Sequence, residues 1–525
     1  MRARLLSVPV ALALGACARA EAPDAPALSR IVAAASAEPA PPPTTVPTRV
    51  SLSGALEPSQ GPGEPAGARR LYSRAARTWI FAEPRGSSGK LGYLRSGASV
   101  VAAATPAGRE GCADGWFAIA PRGYVCVGAA ATFDAGDAVV QATRESPPEL
   151  ARKLPYIYGM VRKPGPVYRR LPDAAQSLEN EPELESRMRA WLEAPGEIGA
   201  SYAQHVWLGR PGVAPDPAQM LRERRTEGLP AFLGAGRALP TLDGPAPSAS
   251  LVAGQMRPRA GYSFLRTFLW NGRRFGLTTD LSLAPTDRFR PIQGSEFHGV
   301  EIGKDIAFPF AFVRSPEAHL WQLQRGALVD AGAAPYRAAL KLSGKQRFFR
   351  GRLHFELEDG KWLSDEHGSR LDPVKRMPGW GKNGERWLDV NLTKQTLVAY
   401  DGTRPVYATM ISSGEAGLED PEHTTATKRG IFRIHTKHVT TTMSSDEAGE
   451  EYELRDVPYV QYFEQGYALH GAYWHDRFGI PKSHGCLNLS PEDARRLFFF
   501  TEPSLPEGWH GVLMPLRGSV VFVHP

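Results

Sequence analysis

Residues 470–490, HGAYWHDRFGIPKSHGCLNLS, constrain this chain more than any other stretch. Ser490-Pro491-Glu492-Asp493 reads as a helix start. It has a hydroxyl at the cap, proline at the first helical position, and two acids where the helix dipole favours negative charge. The helix that follows carries Ala494, Leu497 and Phe498 on one face, an apolar stripe that must pack against something. Cys486 therefore sits in the short Leu487-Asn488-Leu489 lead-in. Gly485, having no side chain, lets the backbone turn sharply just ahead of it. The expectation is strand, turn, helix, with the thiol held by scaffold on both sides.

The same stretch gathers two imidazoles, His470 and His484, around that thiol, the grouping that nucleophilic acyl transfer requires. A thiol attacks as thiolate, so it needs a nearby base or positive charge, and an imidazole supplies either. Backbone N–H groups at the Gly485 turn are candidates to face a developing oxyanion. A zinc site built from His470, His475, His484 and Cys486 is the competing reading. No Cys-x-x-Cys or His-Glu-x-x-His spacing accompanies it.

The run S-H-G-C-L-N-L-S, with His470-Gly471 sixteen positions before Cys486, resembles the signature of YkuD-type L,D-transpeptidase catalytic domains. So do W-L-D-V-N-L-T-K-Q-T-L-V-A-Y from Trp387 and G-I-F-R-I from Gly430. The likeness covers roughly the last quarter of the chain, 385–525. It implies a β-sandwich-like domain with a short helix after the nucleophile, Cys486, and His470 as general base. Ser483, His484, Gly485, Asn488 and Gly471 would line the oxyanion and peptide-donor side. The implied reaction forms a thioester with a peptidoglycan stem tetrapeptide, releases D-alanine, and passes the acyl group to an amine. It uses no cofactor and no metal, and carbapenems would acylate the same thiol. Where many relatives have Thr-Pro before the glycine at 430, this chain has Lys428-Arg429. An L,D-carboxypeptidase hydrolysing the same thioester, and a non-catalytic wall-binding lipoprotein, are the alternatives.

Upstream, residues 1–17 have two arginines, an apolar run and Leu14-Gly15-Ala16-Cys17. This is a secretory signal ending like a bacterial lipobox, with Cys17 as the lipidated residue. No later stretch reaches the ~18 apolar residues that a membrane helix needs, so membrane attachment rests on that lipid. The expected location is the periplasm, with the outer membrane favoured by Ala18. Residues 18–70, rich in Ala and Pro with almost no aromatics, cannot bury enough apolar surface to order and read as a tether.

Residues 71–133 alternate short β runs with Gly and Pro turns and resemble a bacterial SH3-like domain, with Cys112 and Cys126 as its expected disulfide. With Cys17 lipidated, Cys486 is then the cysteine left over in an oxidising compartment, which singles it out as reactive. Residues 139–300 and 301–378 read as two further small β modules. Within them, 174–193 is helix-compatible with a break at Pro182, and Asn271-Gly272 signals a hairpin. Between 433 and 470 the polar residues, including Asp446, Glu447, Glu450 and Glu451, suggest a long loop capping the donor peptide. The whole is a mainly β, multidomain chain. The net charge of +7 comes from scattered arginines without a nucleic-acid recognition motif, and fits an acidic extracytoplasmic polymer.

Overall fold

The computed structural model describes residues 67–187, 228–234, 237–242, 250–445 and 452–525. The expected signal peptide, Cys17 and nearly all of the tether lie outside them. Among the described residues no helix is long and apolar enough to cross a membrane. The architecture is mainly β and multidomain, with several sheets and a C-terminal domain whose longest helix is short.

That C-terminal domain has ten strands: β1 (Arg386–Asn391), β2 (Thr396–Asp401), β3 (Arg404–Met410), β4 (Gly430–Arg433), β5 (Thr436–Ser445), β6 (Tyr452–Glu464), β7 (Tyr467–Gly471), β8 (Leu487–Leu489), β9 (Gly511–Leu513) and β10 (Val520–His524). Helix α1 (Pro491–Phe500) follows β8. One sheet runs β3-β2-β1-β10-β4. In the other, β9, β5 and β6 lie side by side, β7 pairs with β6, and β8 pairs with β7. Between them Leu388, Val390, Leu397, Leu469 and Leu487 meet Ala494, Leu497 and Phe498 of α1 in one core.

The segment expected as a loop between 433 and 470 is instead the long β5/β6 hairpin. Its threonines, tyrosines and valines favour a pleated strand. The acidic residues that suggested a loop, Asp446, Glu447, Glu450 and Glu451, lie outside the described residues.

The N-terminal unit is a set of seven short strands from Arg69–Ser73 to Ala131–Thr132 around Leu71, Ile80, Leu94, Val100 and Val125. A disulfide joins Cys112 to Cys126, Cα atoms 5.9 Å apart. This unit is not a bead on a string. Its strand Lys90–Leu94 pairs antiparallel with β9, Gly92 opposite Val512 and Tyr93 opposite Gly511, and Trp509 and Val512 complete its core.

In the middle, Gly261–Trp270 and Arg273–Thr278 form a hairpin turning on Asn271 and Gly272, both at positive φ as that two-residue turn demands. The helix-compatible piece forms Ala174–Asn180, breaks at Pro182 and is helical again at 184–187, beyond which it lies outside the described residues. A seven-stranded sheet spans Phe310–Val313 to Gly368–Leu371. The expected boundary at 300 is crossed, because Val300–Glu301 pairs with β3 as an edge strand of the C-terminal domain's first sheet.

Candidate functional site

The helix start behaves as its sequence requires. Ser490 Oγ accepts the Asp493 N–H at 3.1 Å and Pro491 opens the first turn. Asp493 does more than complement the helix dipole. Its buried carboxylate accepts hydrogen bonds from Tyr407 OH and Thr409 Oγ1, both at 2.6 Å, and from Ser490 Oγ and Gly299 N–H, both at 2.9 Å. Burial pushes its pKa above the usual carboxylate range. This clamps α1, and with it β8, onto β3.

β7 and β8 run parallel with Leu469 opposite Leu487, His470 opposite Asn488 and Gly471 opposite Leu489. Side chains alternate along a strand. The leucines fill the core, so Ala468, His470, Cys486 and Asn488 share the opposite face. Cys486 lies one two-residue repeat, ~7 Å, from the position beside His470. The register thus brings the expected nucleophile and base to one surface.

Cys486 is 8% exposed and sits in an apolar cluster with Val460, Ala468 and Tyr473, against which Tyr462 and Trp474 pack. Its Sγ is 3.6 Å from the Gly466 carbonyl oxygen. Burial, and next the neighbouring Cys486, hold the Tyr462 phenol above its ordinary pKa. His470 is 2% exposed, its ring 5.7 Å from that of Trp474, and its Nδ1 has no hydrogen-bond partner among the described residues. Asn488 Nδ2 lies 2.9 Å from His475 Nε2, whereas its buried Oδ1 has no partner among the described residues. Burial, helped by His470, pushes His475 down to about 4; its Nδ1 accepts the Arg477 N–H at 3.2 Å and its Nε2 lies against the Asn488 amide.

The other expected residues divide. His484 stacks on Tyr452, ring centroids 5.8 Å apart. Gly485 has φ +122, a backbone state that favours glycine, and its carbonyl accepts from Thr427 Oγ1 at 2.8 Å. Its N–H does not face the thiol side as expected. It donates to Ser483 Oγ at 3.1 Å, and that hydroxyl donates to the Cys486 carbonyl. Ser483 is therefore the turn's internal brace. Gly471 serves packing, since a Cβ there would stand 3.0 Å from Pro458 Cγ and 3.2 Å from Pro491 Cα. Lys428, at the departure from the family pattern, pairs with Glu464 at the end of β6 at 2.9 Å.

Among the described residues no three His, Cys, Asp or Glu side chains converge as a metal site would need. His475 is committed to Asn488 and His484 to Tyr452, so the zinc reading has no geometry behind it. Sequence reasoning missed Thr427 and the positioning role of His475. His475 carried a signal, and it pointed to metal.

Residues 385–518 match the family model described as YkuD, L,D-transpeptidase catalytic domain. No curated protein matches the chain. Among solved structures, a mutant of the Enterococcus faecium L,D-transpeptidase is 23% identical over 27% of this chain and 50% of its own, with a TM-score of 0.21. The L,D-transpeptidase of Stackebrandtia nassauensis is 25% identical over 29% of this chain and 58% of its own, TM-score 0.19. L,D-transpeptidase 3 of Mycobacterium tuberculosis, solved with a faropenem-derived adduct, is 18% identical over 35% and 78%, TM-score 0.21. The chain thus spans about half the length of the Enterococcus protein. Residues 385–518 are an L,D-transpeptidase catalytic domain of the YkuD family; the family match covers that segment of the 525-residue chain.

Proposed function

We propose that the chain is a peptidoglycan L,D-transpeptidase with Cys486 as nucleophile and His470 as general base. His470 takes the thiol proton, and the thiolate attacks the carbonyl of the L-centred residue of a stem tetrapeptide. The C–N bond to D-alanine breaks, His470 returns the proton to the departing amine, and a thioester remains. An acceptor amine attacks that thioester, gives up a proton to His470, and leaves as the new amide while Cys486 regains its proton. The observation that carries this reading is the shared face of His470 and Cys486 across β7 and β8, together with a His470 Nδ1 that is buried without a partner. A buried imidazole nitrogen lacking a hydrogen bond is costly unless a reaction uses it. The Cys486 backbone N–H is the candidate donor to the developing oxyanion.

Incubating the purified chain with a stem tetrapeptide and following products by mass spectrometry tests this. A cross-linked dimer, with a thioester adduct on Cys486 and none on Cys486→Ala, is expected. A trimmed tripeptide alone would mean hydrolysis, the L,D-carboxypeptidase reading. Carbapenem acylation of Cys486 is a second expected outcome. We also propose that Cys17 carries a lipid and that the enzyme works from a periplasmic membrane surface through its Ala/Pro-rich tether. Loss of membrane association in Cys17→Ala is the check.

A further inference from the structure

The loop between β7 and β8 has two sides, and the candidate site uses one of them. Trp474 stands beside the His470 ring, and His475 against the Asn488 amide. The residues that follow turn the other way, onto the middle region of the chain. The Phe478 ring stacks on that of Phe297, centroids 5.8 Å apart with planes 23° from parallel. Gly479, at φ +98, approaches so closely that a Cβ there would stand 2.8 Å from Arg314 Cβ. His475 and Phe478 lie ring beside ring at 5.3 Å, so the two sides of the loop touch.

The support behind the loop is a packed one. Phe297, Phe310 and Phe312 share a buried core with Trp387, Met410 and Phe478. Arg337, in the seven-stranded module, closes over its edge. Its Nη1 donates to Asp476 Oδ2 at 3.1 Å, its Nη2 lies 2.8 Å from Oδ1, and Nη2 also donates to the Asp476 carbonyl at 2.5 Å. The guanidinium carbon is 5.7 Å from the Phe297 ring centroid. Arg337 thus grips both the side chain and the backbone of the residue after His475.

The backbone of Arg337 gives a second, independent pointer. It has φ +68, the left-handed region that a residue with a Cβ occupies at a cost and glycine does not. Its N–H donates to the Val313 carbonyl at 2.8 Å, a bond that glycine would make equally well. The turn gains nothing from an arginine, so the strain points to a use for the side chain. Stability is a poor candidate for that use. The Asp476 side chain is 57% exposed, and ion pairs so open to water contribute little.

We propose that Arg337 is a positioning residue for the acylation of Cys486. By fixing Asp476 it holds the loop so that Trp474 sets the plane of the His470 ring and His475 that of the Asn488 amide. The inference rests on the transpeptidase reading for the chemistry that the loop serves. A misplacement of about 1 Å in a reacting group costs up to ~10²-fold in rate, so a contact worth little in stability is worth much in rate. The seven-stranded module then takes part in the reaction from behind, without touching substrate.

In the full chain, Arg337→Gly relieves the backbone and removes the guanidinium at once, which separates positioning from scaffolding. Its thermal midpoint is expected to equal or exceed the parent's. Carbapenem acylation of Cys486 at saturating drug is expected to slow about ten- to a hundredfold, with the half-saturating concentration within about twofold of the parent's. Asp476→Asn should slow it likewise, and the double variant should be no slower than the slower single one, because both groups act through one contact. Arg337→Lys should recover part of the rate although it keeps the strained backbone. Unchanged acylation in Arg337→Gly, slowing matched by a lower midpoint, or additive losses in the double variant would overturn the proposal and leave the transpeptidase reading in place. A parent that neither a carbapenem nor the stem tetrapeptide acylates would overturn both.

Discussion

Two buried polar clusters lie on the same sheet, and they are built on opposite principles. Around Asp456, 2% exposed, every oxygen is occupied. Arg95 and Thr440 Oγ1 bind the carboxylate, the latter at 2.7 Å, as do Thr279 Oγ1 at 2.5 Å and Ser263 Oγ. Tyr158 OH donates to the Asp456 carbonyl at 2.6 Å. Arg95 belongs to the N-terminal unit and Tyr158, Ser263 and Thr279 to the middle one, so this node ties both to the catalytic hairpin. Around Cys486 the pattern is reversed: His470 Nδ1 and Asn488 Oδ1 are buried with nothing to bind. A satisfied buried charge is scaffold, because removing any partner strands the rest. On the proposed reading, the polar atoms beside the thiol are kept for a bound peptide rather than for the scaffold.

The comparison breaks most directly at His470 and Cys486, the proposed base and nucleophile. His470→Ala is expected to slow acylation of Cys486 by about 10²–10⁴-fold, the range for a lost general base, while the chemical-denaturation midpoint stays put. A large fall in stability with modest loss of acylation would make His470 scaffold after all. Asp456→Ala should give the mirror image. Leaving Arg95 buried without its partner is expected to cost about 3–5 kcal/mol in unfolding free energy. A change below about 1 kcal/mol would mean the node does not hold the three units together.

The two clusters also differ in how far sequence reveals them. Covalent chemistry needs rare side chains at close spacing, so His470, Cys486 and the cap at Ser490 were all legible within one short stretch. The cap's geometry is local and came out as read. Asp456 was invisible because Arg95, Ser263 and Thr279 stand 361, 193 and 177 residues away in the chain. Nothing nearby distinguishes it from a surface acid. The β5/β6 hairpin was misread for a related reason. Its acidic tip dominated the composition, while the alternation that makes it a strand is split by threonines that count as polar in a sequence and as β-branched in a sheet. The docking of Lys90–Leu94 on β9 had no local signal, since pairing between distant strands depends on backbone groups that every residue carries.

The smallest expected effect concerns His475, which joins the two principles: a satisfied neutral histidine that positions an incompletely satisfied asparagine. Burial holds its pKa near 4, below the ordinary 6.5. Between those values the unfolded chain binds a proton that the folded chain does not, so this site makes stability fall as pH drops from about 6.5 toward 4. Above that window it contributes no slope. Because carboxylates titrate there too, the measurement is the difference between the parent and His475→Gln, whose amide does not protonate. The parent is expected to lose about 1–3 kcal/mol more than the variant across that interval. Protonation would also turn His475 Nδ1 from acceptor to donor, break its bond with the Arg477 N–H and disturb the ring that lies against the Asn488 amide. Carbapenem acylation of the parent should therefore decline with an apparent pKa near 4 that His475→Gln lacks. Parallel stability curves with coincident acylation profiles would remove His475 from the site and leave Asn488 to be positioned by the backbone alone.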